Sequence, residues 1–427
     1  MGSMINRLTV VISAVLSLTA FPAMAVDVSV SGFGTVGYAR SDESFAYQRF
    51  IDNGGTFRRD SIFGVQVDAQ FTSQVAATVQ IKAAPSLEDD NKVDGAVSWA
   101  FLSYRPTNDL LLRAGKLRLP LYLYSENLDV GATYDFARLP AEMYSISPTN
   151  DLTGASFSKN WGMDSGELTL DGYWGKASTQ VRLFNRDEIL APRGPQFPSF
   201  DVEAAGLALT RHREEDVYRA SLHNVTVTFD SPISATFPFV SLGPGIGYYQ
   251  VNNALPGPGV PTVDEFKLFV MTLGVNIGLG ADFRLISEYA QSNVENFDLV
   301  PDTKRGYVSL LKRIGKWTPY ITQAYVRSSS SSRNFYNAVN DTTVPAFVPS
   351  ADLINAAQRT GADAIGAFDQ SSWALGTSYS LSPNSKIKAE WMKVRIGDVS
   401  GMVDAPAGGN VRHQGINVFS LSYSFVF

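Results

Sequence analysis

The chain closes on FSLSYSFVF, residues 419–427. Phe419, Leu421, Tyr423, Phe425 and Phe427 share one parity, while Ser420, Ser422 and Ser424 share the other. That two-residue period belongs to a β-strand with one apolar and one polar face. Taken alone, such a strand suits the edge of a soluble sandwich as well as the wall of a membrane barrel, so the rest of the chain decides.

At the opposite end, Met4 opens a segment with one basic residue, Arg7, an apolar run from Leu8 to Phe21, and Ala23-Met24-Ala25. This is the pattern of a signal peptide with an A-x-A cleavage site. Residues 1–25 are expected to be removed, Met1 to Ser3 being an added lead, and the mature chain spans 26–427. No other apolar stretch reaches the roughly 18 residues that a membrane helix needs. A membrane protein of this sequence therefore has to be a barrel. Cysteine is absent, which removes disulfides, thiolate metal sites and thiol nucleophiles. The net charge of −6 gives no footprint for nucleic acid. Abundant Phe and Tyr beside a mean hydropathy near zero fit strands whose two faces cancel in the average.

Period-two segments recur along the mature chain. Val28 to Tyr38 reads as a first strand. Phe63, Val65, Val67, Ala69 and Phe71 mark the apolar face of a second, with Gln66, Asp68 and Gln70 opposite. After a minimal turn at Thr72-Ser73, Val75, Ala77, Val79 and Ile81 carry the apolar face of a third. Further strands fall near 95–105, 110–117, 152–161, 166–175, 201–211, 216–228, 262–278, 281–292, 304–314, 317–327, 370–381 and 385–396. With the closing strand at 412–427 they make roughly sixteen. Fourteen and eighteen stay open, because the Pro- and Gly-rich stretch 230–261 has room for an irregular strand. Connections are short after even strands and long after odd ones. An up-and-down transmembrane antiparallel β-barrel with both termini at the short-turn side requires that alternation, and a soluble sandwich has no reason for it. Trp99 and Tyr104, Tyr173 and Trp174, Trp317 and Tyr320, Trp373 and Tyr379, and Trp391 cluster near strand ends, as interfacial girdles do.

The signal peptide, the alternating strands, the eight long loops and the terminal Phe427 resemble a Gram-negative outer-membrane porin of about sixteen strands. Gly115-Lys116-Leu117-Arg118-Leu119-Pro120 is similar to the glycine, basic, proline junction before the third loop of porins. The resemblance implies a third loop, 119–151, folded into the pore, a homotrimer, and passive diffusion of small hydrophilic solutes or ions. It implies no cofactor.

Within that frame the third loop carries Glu126, Asp129, Asp135 and Glu142, with Arg138 and the hydroxyls of Tyr122, Tyr124 and Tyr134. Lumen parity puts Lys82, Arg113, Arg284, Lys386 and Lys388 on the wall, with Glu390 beside the last two. Facing rows of opposite charge would set a transverse field across the bore and could favour anions. A solvated outer loop is the plain alternative. Arg113 cannot share a face with Lys116 and Arg118 in a regular strand, so a bulge is expected near Gly115 or one set faces lipid. Lipid exposure costs about 2 to 4 kcal/mol for each Arg or Lys near the midplane, and all three stay pore candidates.

The basic doublets Arg58-Arg59 and Lys304-Arg305 fall at the outer rim, where they anchor the barrel or meet lipopolysaccharide phosphates; Lys312-Arg313 falls near a short turn. Ser221 and His223 share a face, but no nucleophile motif surrounds Ser221, and no histidine pair has metal-ligand spacing. The chain is read as neither an enzyme nor a metalloprotein. Glu88, Asp89 and Asp90 read as a solvated acidic loop rather than a calcium site. A surface receptor or adhesin barrel with a capped lumen stays as the alternative function, resting on the long segment 328–370. A first strand starting close to Val26 leaves no room for a plug domain.

Overall fold

The computed structural model describes residues 26–147, 149–188 and 192–427, so the expected signal peptide lies outside the described residues. Sixteen strands close into one antiparallel barrel. They are β1 (Asp27–Ser41), β2 (Ile62–Gln70), β3 (Val75–Pro85), β4 (Val93–Thr107), β5 (Leu110–Arg118), β6 (Asp151–Met163), β7 (Gly166–Gln180) and β8 (Ser199–Arg213). The circuit continues through β9 (Asp216–Ser234), β10 (Thr262–Gly280), β11 (Phe283–Glu295), β12 (Thr303–Lys312), β13 (Trp317–Ser328), β14 (Phe368–Ser382), β15 (Ser385–Ser400) and β16 (Gly415–Val426). Each strand pairs with its sequence neighbours, and β16 returns to β1 from Phe33↔Val426 to Ser41↔Val418.

The closing strand behaves as its period dictates. Phe419 and Leu421 are 56% and 55% exposed on the outside, whereas Ser422 and Ser424 are 5% and 0% exposed inside. The same inversion recurs elsewhere. Leu222, Leu273, Val308, Ile321 and Leu375 face outward, while Ser221, Thr272, Ser309, Thr322 and Ser372 are buried inward. Each large apolar side chain left in water would forgo roughly 1.5–3 kcal/mol, so a continuous belt of them is stable only in lipid. At the seam, Phe427 exchanges backbone hydrogen bonds with Gly32 at 2.9 and 3.0 Å. Glycine lets the Phe427 ring lie over this position, since a Cβ on Gly32 would stand 2.2 Å from the ring as placed.

Several expectations are corrected in detail. The stretch 230–261 adds no barrel strand; β9 runs on to Ser234, and a separate hairpin, Phe239–Gly243 with Ile246–Tyr249, sits outside the barrel sheet. A second small hairpin pairs Leu183–Asn185 with Gly194–Gln196. The loop after β13 holds two helices, α1 (Ser330–Asp341) and α2 (Ala351–Asp363). The girdle is only partly as expected. Trp174, Trp317, Trp373 and Tyr104 are exposed outside, but Tyr173 and Tyr320 are buried and point inward. Trp99 stands opposite the buried Gln80 rather than among the outward residues.

The expected bulge at Gly115 is displaced. Gly115 has φ +135°, yet the β5–β6 ladder runs unbroken through it from Leu110↔Lys159 to Arg118↔Asp151. The register shift lies one strand away, between Gln80↔Trp99 and Ile81↔Val97, and leaves Ser98 of β4 unpaired.

Candidate functional site

The third loop, residues 119–150, makes its contacts with the lumenal side chains of the wall. Its path begins at β9 and β10, where the Pro120 carbonyl accepts from Arg219 at 2.7 Å and the Leu121 carbonyl accepts from Thr272 at 3.0 Å. Leu123 lies over Gly274, where a Cβ would meet its side chain at 2.9 Å. At β11 and β12, Glu288 accepts from the Leu123 N–H and from the Tyr307 hydroxyl, each at 2.8 Å, and from the Tyr144 hydroxyl. Arg305 donates to the Tyr122 hydroxyl at 2.9 Å. At β13, the Tyr320 hydroxyl accepts from the Ala137 N–H at 2.9 Å and donates to Glu390 at 2.8 Å. On β15, Lys388 donates to the carbonyls of Gly131 and Phe136 and lies 4.2 Å above the Tyr134 ring. Gly131 then packs against Thr35 of β1 and Ser424 of β16. Phe136, Leu139, Met143 and Tyr144 form a continuous apolar cluster with Tyr307, Tyr320 and Ala324 of the wall.

The charged candidates are not arrayed across an open bore. Asp129 is held directly by Lys82 at 2.8 Å and by Arg118 at 2.7 Å, and Arg118 reaches on to Asp151 at 2.7 Å. Burial alone would raise the Asp129 carboxyl, but the two cations outweigh it and hold it at about 2. Asp135 is paired with Lys386 at 2.8 Å and accepts from Ser378 at 2.7 Å. Arg138 makes a two-pronged contact with Asp60 of the first loop and donates to Ser420 at 3.3 Å. Burial again opposes the charged form of Asp60, and the Arg138 guanidinium overcomes it and holds that carboxyl below its usual range. Glu142 is fully buried and accepts from Gln370 at 2.8 Å.

The parity conflict resolves residue by residue. Arg113 stands opposite Ser103 and Ser156, while Leu112 and Ala114 are exposed on the other face. Its guanidinium lies 5.5 Å from the Phe101 ring centre and, among the described residues, forms none of the ion pairs. Arg118 reaches the lumen from the end of β5. Lys116 sits opposite Ala100 and Thr153, in line with exposed Ala114, and joins none of the described ion pairs. Arg284 takes no part in the ion pairs of the third loop; it binds the turn carbonyl of Glu215 at 3.0 Å at the short-turn rim.

A cavity of about 30 Å³ lies on the β5–β7 side of the loop. Arg113, Arg118, Glu126, Ser156, Ser158, Asp171 and Tyr173 are among the residues that line it. By volume it has room for about two water molecules.

Ser221 and His223 do meet, at 2.7 Å, but the far imidazole nitrogen contacts the Tyr173 hydroxyl at 2.7 Å rather than a carboxylate. Both are buried beneath Leu121 instead of standing in lumenal water. Asp90 is likewise engaged, by Arg49 and Arg182. Among the described residues, no cluster of His, Asp and Glu has the arrangement of a metal site.

Above the lumen, the long loops are tied to one another. Arg182 of the fourth loop donates to both oxygens of Asp404 in the eighth, at 2.7 and 2.6 Å, and to Asp90 of the second at 2.8 Å. Arg186 pairs with Asp363 of α2 at 2.8 Å and donates to Asn340 of α1 at 2.6 Å. Asp187 accepts from Arg359 at 2.8 Å and from the Gly408 N–H at 2.8 Å.

Residues outside the sequence reading carry much of this site: Glu288, Tyr307, Asp60, Asp171 and the loop residues Arg182, Arg186, Asp363 and Asp404; Arg305, expected at the outer rim, is instead buried against Tyr122 of the third loop. Glu288 left a usable signal. A carboxylate in the middle of a membrane-crossing strand has to face inward.

No family model matches the chain, and no curated protein matches it significantly. Solved structures do. It aligns with a loop-deletion form of OmpT, an outer membrane protein of Vibrio cholerae, at a TM-score of 0.53 and 12% identity, covering 95% of this chain and 100% of that one. OmpT in its trimer form gives 0.52 and 13% over the same shares. The outer membrane channel DcaP of Acinetobacter baumannii gives 0.52 and 10%, over 95% of this chain and 99% of that one. With a closed sixteen-strand wall, an apolar outer belt and long loops at one end, the chain has the fold of the bacterial outer-membrane porins.

Proposed function

We propose that the protein is a non-enzymatic diffusion porin of the outer membrane that passes small hydrophilic solutes or ions down their gradients. The observation that carries this reading is the interior course of the third loop. It packs an apolar cluster against the wall strands β11–β13, and a small cavity of mixed lining lies beside β5–β7. Arg113, Glu126 and Asp171 line that cavity together. Opposite charges in a narrow, low-dielectric passage orient dipolar solutes and filter ions. Anion preference, the finer reading, rests on Arg113, which among the described residues forms no ion pair, whereas Lys82, Arg118 and Lys386 are taken up by carboxylates. A homotrimer is the proposed assembly, supported by the trimer form of OmpT.

Planar-bilayer recordings under a salt gradient test this directly, with Arg113→Ala beside the unaltered protein. A stable open conductance, with an anion preference that falls in the variant, supports the porin and its constriction. Silence at every voltage sinks it. The second reading, a capped receptor or adhesin barrel, then takes its place, favoured by the ion pairs that join the long loops.

A further inference from the structure

Asn53-Gly54, in the first loop, is the one Asn-Gly pair of the sequence. Both residues are exposed, and among the described residues the side-chain amide of Asn53 has no hydrogen-bond partner. The backbone around it is held. The Asn53 N–H donates to the Glu43 carbonyl at 2.8 Å, and the Gly55 N–H to the Asp52 carbonyl at 3.3 Å. Between them the Gly54 N–H donates to the Asp52 carboxylate at 2.8 Å. Gly55, at φ +76°, then turns the chain so closely over Tyr38 that a Cβ would stand 2.0 Å from its hydroxyl.

The amide carbon of an asparagine is an electrophile within reach of the next residue's backbone nitrogen, and the two close a five-membered ring. Glycine is the best residue to supply that nitrogen, because no Cβ crowds it. The nitrogen is a poor nucleophile while it keeps its proton. Here the proton already points at a carboxylate.

We propose that Asn53 is a site of spontaneous deamidation in the folded protein, with Asp52 as the base. The bond from the Gly54 nitrogen to Asn53 Cγ forms as Asp52 takes the amide proton. The Cγ–Nδ2 bond breaks, and the proton passes to the leaving nitrogen, which departs as ammonia. Water then opens the cyclic imide at either carbonyl to give aspartate or isoaspartate. Nothing is oxidised or reduced, and water is the co-reactant.

Either product adds a carboxylate beside Asp52 at the outer mouth. The isoaspartyl product also carries the main chain through the former side chain, which lengthens a segment pinned at both ends. The Asp52 carbonyl accepts from the Ser41 N–H at 2.9 Å, and Ala39 and Thr56 exchange bonds of 2.9 and 2.7 Å. The extra length is taken up at Gly55, so the first loop loosens from β1 beside Tyr38 and Phe57, whose rings are 5.1 Å apart. The chemistry is independent of whether the lumen conducts or is capped.

The test incubates the full chain, folded in detergent, at mildly alkaline pH in water enriched in heavy oxygen. The tryptic peptide 50–58, released by cleavage after Arg49 and Arg58, is then followed by mass spectrometry. Conversion of the Asn53 amide to a labelled carboxyl is expected, with methyl groups accepted from a protein isoaspartate methyltransferase. Faster hydrogen exchange at Ala39 and Thr56 in the isoaspartyl fraction reports the loosened loop. Asn53→Gln and Gly54→Ala lose the conversion. Asp52→Ser keeps an oxygen for the Gly54 N–H but no base, and slows it about tenfold, a modest yield for a positioned base because a carboxylate is weak against an amide N–H. A heat-shifted gel band confirms that each variant is folded. An unconverted peptide from the folded chain, beside conversion of the free peptide 50–58 under the same conditions, overturns the proposal, because the fold then protects the site. Equal rates in Asp52→Ser and the parent overturn the role given to Asp52.

Discussion

Arg182 and Asp404 are joined by two hydrogen bonds of 2.7 and 2.6 Å, although their loops rise from opposite sides of the barrel. The fourth loop connects β7 to β8 and the eighth connects β15 to β16, half a circuit apart in a closed wall of sixteen. A contact between them has to cross the mouth. Arg186 and Asp187 repeat the crossing through the carbonyl of Gly409 and the N–H of Gly408.

Removing the strap should widen the entrance. Arg182→Ala leaves Asp90 and Asp404 facing each other without their shared cation, and breaking a partly buried pair costs about 3–5 kcal/mol. The variant is expected to show larger or longer openings in single-channel records while the barrel still folds. A double-mutant cycle with Asp404→Ala isolates the pair; independent effects of the two changes would show that the bridge does not restrain the mouth.

Acid should neutralise Asp363 in the cap without weakening the fold there, and spare the clamp within the bore. Burial pushes the Asp363 carboxyl up against the pull of Arg186, to about 6. Its folded value lies above the unfolded 3.8, so the folded state holds a proton between the two and stability falls as pH rises through that window. Below about 6, Asp363 is neutral and its attraction to Arg186 lapses. Asp129 has the opposite sign. Its contribution is present above 3.8 and is lost only as pH falls through about 2. Conductance is expected to change near pH 6 and then hold steady to about pH 4. The same step surviving in Asp363→Asn would assign it to another group.

How far the sequence could reach is clear from these residues. Ser420, Ser422 and Ser424 alternate with Phe419, Leu421 and Tyr423, and the barrel follows from that pattern because lipid and lumen impose opposite demands on adjacent positions. Lys82 and Lys386 were legible in the same way, as charges on the polar parity. Their partners were not. Asp129 meets Lys82 and Asp135 meets Lys386 because of a loop path that no periodicity encodes. Arg118 was ambiguous for a local reason, since it is the last residue of β5, where the strand gives way to the third loop and a count of parity from Arg113 ends. The helices α1 and α2 also escaped, because their residues are mostly small and polar and their apolar faces are completed by other loops.

Asp129→Asn should cost the clamp dearly. Lys82 and Arg118 would lose the carboxylate they share, and Arg118 would keep Asp151 and the Ser125 carbonyl. Stripping one partner from a buried ion pair costs about 3–5 kcal/mol. The temperature at which the heat-modifiable band shifts is expected to fall, with noisier open-channel current as the loop works free. An unchanged shift temperature would mean that the apolar contacts of Phe136 and Tyr144 hold the loop unaided.

Glu288→Gln tests the other end of the same loop. The carboxylate accepts from three donors, the Leu123 N–H and the hydroxyls of Tyr144 and Tyr307, and among the described residues it has no ion-pair partner. An amide offers one accepting oxygen and turns its NH₂ toward groups that also donate, so at least one buried donor loses its acceptor. Each such loss costs about 1–3 kcal/mol. The variant is expected to be less stable than the parent by that amount in urea-driven unfolding from lipid vesicles, with Tyr307→Phe costing less because it removes donor and demand together. Equal stability of Glu288→Gln and the parent would show that the two tyrosine hydroxyls reorient to other acceptors, and that the loop is held on this side by packing against Gly274 and Tyr307 alone.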